Sequence, residues 1–357
     1  MGYTERLDKV KQLLALHEAS GFLITHLPDI RWLVGFSGSS ALLLVKRESV
    51  YFITDGRYTE QAHQEVRGAE VHIADRSSFE YLAAQPWIQA KEHILFQGEH
   101  LVYQVYKQLL TRFPEVAFEA VNSVIAKCRA TKDSTEIRSI QGAQQITDEV
   151  FSILCERIRP GITEKELAAE IVYEHLRRGA ERMSFDPIVA FGPHSALPHA
   201  QPSDQTLRKG DVVLLDFGCF YEGYASDMTR TLVVGHASET FREVYQIVLC
   251  AQEKALKILR ANQLACAVDA AARRVIEEAG YGEFFTHSLG HGVGLEIHEW
   301  PRLSQFSEEP VPLHAVVTVE PGVYIPGQFG VRIEDLVVVE EQGVQNLTRT
   351  SKDLLEL

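Results

Sequence analysis

Apolar positions recur along the chain at two spacings, and their order divides it in two. Leu7, Val10, Leu13, Leu14 and Leu16 fall at helical spacing and predict a helix over 6–20, ended by Gly21. Short β-type runs follow at 22–25, 41–45 and 50–54, with helical stretches at 58–66 and 78–84. A further strand is expected at 93–96 and a helix over 101–112. Alternating strands and helices of this kind predict a small α/β domain. The Gly- and Ser-rich GFSGSS at 35–40 has no helical pattern after it, so it is not read as a phosphate loop. Periodicity breaks over 121–133, and the domain boundary is placed there, giving domains 1–125 and 126–357.

The second part follows a different rhythm. A long helix is predicted over 134–158, closed by Arg159-Pro160-Gly161. Thr163 and Glu166 form a capping-box pattern for the next helix, which stops at Gly179. Two alternating apolar runs on either side of Tyr221-Glu222-Gly223 predict a β-hairpin over 214–234. The order then repeats, with helices over 238–260 and 268–278 and a second hairpin over 316–339 around a Pro- and Gly-rich turn. The fold class is therefore α+β, with a duplicated helix-helix-hairpin domain following a smaller α/β domain.

Each hairpin carries a pair of acids. Asp216 and Asp227 lie almost equidistant from the first turn and are expected opposite one another, with Cβ atoms about 5 Å apart. Glu320 and Glu334 are placed in the same way about position 327, and Arg332 shares the strand face of Glu334. Facing carboxylates in a buried setting repel, so either one is protonated or a cation sits between them. Two divalent ions would balance the four acids. His291, in the Gly-rich SLGHGVGLEIHE, is a candidate fifth ligand. Four oxygen donors and one imidazole suit a two-metal hydrolytic site, with Mn²⁺ favoured and Co²⁺, Zn²⁺ or Fe²⁺ open.

Composition narrows the classes of function. The 357 residues carry a formal net charge of -14 and no basic block, which argues against a nucleic-acid partner. No apolar run approaches a membrane span, and MGYTERLDKV is not a signal segment. The five cysteines, Cys128, Cys155, Cys219, Cys250 and Cys266, are scattered without a CxxC pair, as expected of unpaired thiols in the cytoplasm.

The set Asp216, Asp227, His291, Glu320 and Glu334 resembles the five-ligand pattern of the pita-bread metallopeptidases, which include Xaa-Pro aminopeptidases, Xaa-Pro dipeptidases (prolidases) and methionine aminopeptidases. LLDFGCFYEGYASDMTRT, SLGHGVGLEIHE, VVTVEPGVYIPG and GVRIEDLVVV carry the resemblance. DIRWLVGFSGSSALLLV and FITDGRYTEQA resemble the creatinase/prolidase N-terminal domain and exclude the single-domain methionine enzymes.

The resemblance implies that Asp216 holds one ion, His291 and Glu320 the other, and that Asp227 and Glu334 bridge them. It further implies a metal-bridging hydroxide as nucleophile and Glu320 as general base. His199 and His298 would bind the peptide or assist proton transfer, and Arg332 would orient a ligand carboxylate and contact substrate. The implied activity is hydrolysis of the Xaa-Pro bond, first as an aminopeptidase on longer peptides, with a dipeptidase as the alternative. Homodimers are common in the family. A non-catalytic peptide-binding protein and a metal-free creatinase-like hydrolase are disfavoured by the intact ligand set. His194 stands where the family often has Asn, and Ala200-Gln201 follows His199 where a second His or a Gly is common.

Plainer readings stand beside these. A lone Asp in a strand is usually an edge or turn residue, and a lone His in a Gly-rich loop is usually structural. His287 is expected to be structural and Cys219 a core thiol on the strand face opposite Asp216. Arg57 and Tyr58 read as a loop-stabilising pair, and Phe185 as either a pocket-lining or a plain core residue.

Overall fold

The computed structural model describes residues 2–357 and divides into two compact units, Met1–Arg129 and Ala130–Leu357. In the first unit the elements run α1 (Tyr3–Leu16), β1 (Gly21–Ile24), α2 (Leu27–Val34), β2 (Leu42–Lys46), β3 (Val50–Asp55), α3 (Thr59–Glu65) and β4 (Glu70–Ala74). They continue with α4 (Ser78–Ala84), β5 (His93–Gln97), α5 (Tyr103–Arg112), β6 (Ala117–Val121) and α6 (Val124–Ala130). The strands form one mixed sheet in the order β4-β3-β2-β1-β5-β6. One face of it packs Leu23, Leu44, Ile53, Ile94 and Phe96 against Phe79, Leu82 and Leu109 of α4 and α5.

Two expectations for this unit are corrected. The first helix ends at Leu16, with His17 as its cap and Glu18 at φ 51°, so Gly21 opens a strand instead of closing a helix. The stretch LPDIRWLV, not anticipated as helical, forms α2. It has a proline in its first turn and Gly35 at φ 90° as its left-handed cap. The expected loop pair is present, since Arg57 Nε donates to Asp55 Oδ1 at 2.8 Å and the Tyr58 and Ser39 hydroxyls lie 2.5 Å apart.

The second unit repeats helix, helix and hairpin twice. The first set is α7 (Ser134–Arg157) and α8 (Glu164–Arg177), then β7 (Arg182–Met183), β8 (Ile188–Phe191), β9 (Val212–Phe217), β10 (Cys219–Tyr221), β11 (Tyr224–Ala225) and β12 (Met228–Val233). Asp133 and Glu136 cap α7, and Thr163 and Glu166 cap α8 in the expected box. The second set is α9 (Glu239–Ile258), α10 (Ala265–Glu278), β13 (Gly290–Gly292), β14 (Glu299–Leu303), β15 (Val316–Val319), β16 (Gly322–Ile325), β17 (Phe329–Arg332), β18 (Asp335–Glu340) and β19 (Gly343–Asn346). Among the described residues no helix is long and apolar enough to cross a membrane.

Strand alternation sorts each hairpin into two faces. Odd-numbered Val213, Leu215 and Phe217 of β9 join Ala143, Val150, Leu154, Leu167 and Ile171 of α7 and α8 in one core. Odd-numbered Val317, Val319, Val331, Val337 and Val339 join Val244, Val248, Val268, Ala272 and Ile276 of α9 and α10 in another. Each such fully buried side chain stabilises the fold by about 1.5–3 kcal/mol relative to exposure. The opposite faces are thereby turned away from the helices, and they carry the acids: Asp216 on β9 with Asp227 just before β12, and Glu320 with Glu334 in the second hairpin. Cys219, fully buried with Phe217 against α7, is the core thiol expected.

Candidate active site

The first hairpin turns one residue later than read from sequence, which shifts its pairing by two residues. Its turn contains only Glu222 and Gly223, at φ 50° and 79°, and so centres the ladder at 222.5. Both central residues have positive φ, as a primed two-residue turn requires. Asp216 therefore faces Thr229 rather than Asp227. Continuing this register puts Asp227 opposite Gly218, so the two acids share a face diagonally, still within side-chain reach. Gly218 permits this, because a Cβ there would collide with the Ser226 carbonyl oxygen.

In the second hairpin the pairs Val319↔Asp335 and Gly322↔Arg332 bracket Glu320 and Glu334 and set them opposite one another. The two hairpins are tied together at the faces that carry the acids. Thr231 Oγ1 donates to the Arg332 carbonyl at 2.9 Å and accepts from Arg332 N at 3.1 Å, while Glu334 N donates to the Thr229 carbonyl at 3.2 Å.

All eight residues singled out from sequence, His199, Asp216, Asp227, His291, His298, Glu320, Arg332 and Glu334, line one cavity of about 710 Å³. Ligand atoms of Asp227, His291 and Glu334 lie within 4.8 Å of one another. The His291 ring is oriented by its Nδ1, which donates to the Gly292 carbonyl at 3.1 Å. This leaves Nε2 with its lone pair directed at Asp227 Oδ2 and Glu320 Oε1, 3.5 and 3.4 Å away. Burial and the neighbouring His298 hold His291 down at about 3, so at neutral pH these contacts are neither ion pairs nor hydrogen bonds. Two carboxylates and an imidazole nitrogen thus converge on one point, which is the arrangement of a cation site.

The acids carry the same signal. Burial, then Glu334, Asp216 and Glu320, drive Asp227 well above the usual carboxylate range. Burial, then Glu320 and Asp216, do the same to Glu334. Burial raises Glu320 to about 7, with Arg332 opposing and Asp216 adding to the rise. Asp216 Oδ2 accepts from Arg332 Nη2 at 2.6 Å, whereas its buried Oδ1 has no hydrogen-bond partner among the described residues. The charge of Arg332 falls short of that of the four clustered carboxylates, and the surplus is negative. The donor set therefore fits divalent metal ions.

The supporting hydroxyls were invisible in the sequence. Thr318 Oγ1 donates to Glu320 Oε1 at 3.1 Å and Thr229 Oγ1 to Glu334 Oε2 at 2.7 Å. Arg332 Nε donates to Thr229 Oγ1 at 2.9 Å and Nη1 to Tyr324 Oη at 2.6 Å. His287 is nearer the chemistry than expected, for it lines the cavity and its Nε2 meets Tyr324 Oη at 2.9 Å. Its Nδ1 donates to the Ser288 carbonyl, so Tyr324 accepts from Arg332 and donates to His287. A Tyr and two Thr in apolar strands carry no sequence signal beyond β propensity. Phe185 lines the cavity, as do Arg302 and Ile188.

Comparison with known proteins bears on both units. The family described as Metallopeptidase family M24 matches residues 138–341, and the Creatinase/Prolidase N-terminal domain matches residues 6–131. An Xaa-Pro dipeptidase from Pyrococcus furiosus is 36% identical over 98% of this chain and 99% of its own length. The structure of an Xaa-Pro dipeptidase from Bacillus anthracis superimposes with a TM-score of 0.95 at 37% identity, covering 100% of both chains. That of an X-Pro aminopeptidase from Thermotoga maritima gives 0.88 at 38% identity, covering 95% of this chain and 98% of its own.

Proposed function

The chain belongs to metallopeptidase family M24, and from that premise we propose that it is an Xaa-Pro dipeptidase, with residues 126–357 as its catalytic domain. It is a hydrolase with the two-domain α+β fold of the prolidases, a pita-bread domain following a creatinase-type N-terminal domain. The aminopeptidase reading ranked first from sequence; full-length relatives named Xaa-Pro dipeptidase favour the alternative. A feature of the cleft points the same way. Arg302 lines it on β14, paired in register with His291. A dipeptide places its free carboxylate one residue from the scissile bond, within the span of a cleft this size, and a guanidinium suits that group.

The observation that carries the catalytic assignment is the clustering of Asp227, Glu320 and Glu334 around His291, with Asp216 lining the same cleft. We assign Asp216, Asp227, His291, Glu320 and Glu334 as ligands of two divalent ions. The oxygen-rich set suits Mn²⁺, with Co²⁺, Zn²⁺ and Fe²⁺ as the other candidates. When bound, such ions polarise the scissile carbonyl and activate water near neutral pH. Glu320, in the cleft 3.4 Å from His291, is the carboxylate assigned to take a proton from water and return it to the leaving nitrogen, as the family resemblance implies. His199 and His298 line the cleft and offer imidazoles to the substrate carbonyl. Arg332 holds Asp216 in place. The five free thiols support a reducing, cytoplasmic setting, and a homodimer is proposed on the family resemblance, to be read by gel filtration.

A peptide panel tests the reading. Xaa-Pro dipeptides should be cleaved once Mn²⁺ is supplied to stripped protein, and Xaa-Pro tri- and tetrapeptides should not. Equal or faster cleavage of the longer peptides would return the aminopeptidase reading.

A further inference from the structure

Outside the metal-ligand set, one buried carboxylate is committed to a single purpose. Glu164, the first residue of α8, is fully buried. Its Oε1 accepts from Phe191 N at 2.8 Å, and Oε2 accepts from Ser203 N at 2.8 Å and Ser203 Oγ at 2.6 Å. His194 Nδ1 lies 2.9 Å from both oxygens. One carboxylate thus grips both ends of the strap 191–205. The α8 N-terminus is a favourable place for its charge. The grip is reinforced by Gln205, whose Nε2 donates to the Phe191 carbonyl at 2.7 Å, and by Glu164 N, which donates to the Gln205 carbonyl at 3.1 Å.

His199 sits in the middle of this strap. Two further tethers hold the same segment against the second hairpin. Gly330 N donates to Ser195 Oγ at 2.8 Å, and Arg332 Nη1 donates to the Pro198 carbonyl at 3.2 Å. The exposed His199 ring has no bond of its own to the described residues that would hold it to the cleft wall, so the strap sets its position. In the turn at 192–196 it is the His194 side chain that reaches Glu164.

We infer that Glu164 and His194 are a positioning pair that fixes the 191–205 strap and so delivers His199 to the substrate. Neither touches the reacting atoms. The inference rests on the proposed role of His199 at the substrate. Asparagine can replace the imidazole because its amide also donates to a carboxylate, whereas alanine leaves Glu164 one donor short.

The test is a double-mutant cycle on the Mn²⁺-loaded full chain with an Xaa-Pro dipeptide, reading kcat, KM, bound metal and Tm. His194→Ala is expected to lower kcat about 10-fold, the scale of a small misplacement of a catalytic group, with metal content unchanged. His194→Asn should restore most of that loss. In a His199→Ala background, His194→Ala should have less than about 2-fold further effect, because the two act through one group. An equal loss in both backgrounds, or no loss in the first, overturns the pair. Unchanged kcat in His199→Ala alone overturns the role of His199 instead, and with it the function assigned to the strap. Glu164→Gln, which keeps the size of the side chain, should follow His194→Ala in direction; full activity in it overturns the proposal.

Discussion

Replacing Glu320 with glutamine should make the metal-free protein more stable while destroying its activity. Glu320 titrates at 4.5 in an unfolded chain and is raised to about 7 in the fold. Between those values the folded state binds more protons than the unfolded state, so stability falls as pH rises through that window. The loss for this group is about 3 kcal/mol by pH 8. A glutamine side chain carries no charge to be desolvated and retains an oxygen for the Thr318 hydroxyl. The change also removes one source of repulsion on Asp227 and Glu334. For a domain of this size such a gain raises Tm by roughly 6 °C. The assay is thermal unfolding in EDTA at pH 5 and pH 8. The wild type should lose stability between them, and Glu320→Gln should lose less and melt higher at pH 8. An equal or lower Tm for the variant at pH 8, with a wild type indifferent to pH, would refute the electrostatic argument.

The remaining predictions concern the same cleft. Asp227→Asn should abolish turnover and lower bound metal by elemental analysis; full metal load with retained turnover would remove Asp227 from the ligand set. His298→Ala should keep its metal and lose on the order of 10²-fold in kcat, a usual magnitude for a proton-transfer group, measured on an Xaa-Pro dipeptide. Gly218→Ala should lower both Tm and metal content, because its Cβ would run into the Ser226 carbonyl beside Asp227. Wild-type values for both would mean the hairpin tolerates a side chain there.

Long-period features were legible in the sequence, and local turn geometry was not. The repeat of two helices and a hairpin followed from where the 3.6-residue and 2-residue periods changed. The Glu320–Glu334 register came out of a simple midpoint because its turn is symmetric about 327. The same arithmetic put the centre of the first hairpin one residue early and its pairing two residues out, since the non-glycine Glu222 takes a positive φ and shortens the turn to two residues. The helix α2 escaped notice because Leu27-Pro28 reads as extended chain, while the proline in fact opens a first turn. Hydroxyl groups such as Thr229 and Tyr324, and the clasp made by Glu164, become visible only when distant segments meet. In sequence Glu164 is an ordinary acid in the first turn of a helix.

The hydrogen bonds of Arg332 divide labour within the cleft. A guanidinium has five N–H groups. Those of Arg332 go to Thr229 Oγ1, the Pro198 carbonyl, Tyr324 Oη and Asp216 Oδ2, which leaves one. A single N–H cannot grip a substrate carboxylate in the two-pronged manner for which arginine is suited. Arg332 is therefore a hub that orients the carboxylate of Asp216 and keeps one N–H for a substrate. Lysine, with three donors from one point, could not replace it even though the charge is the same.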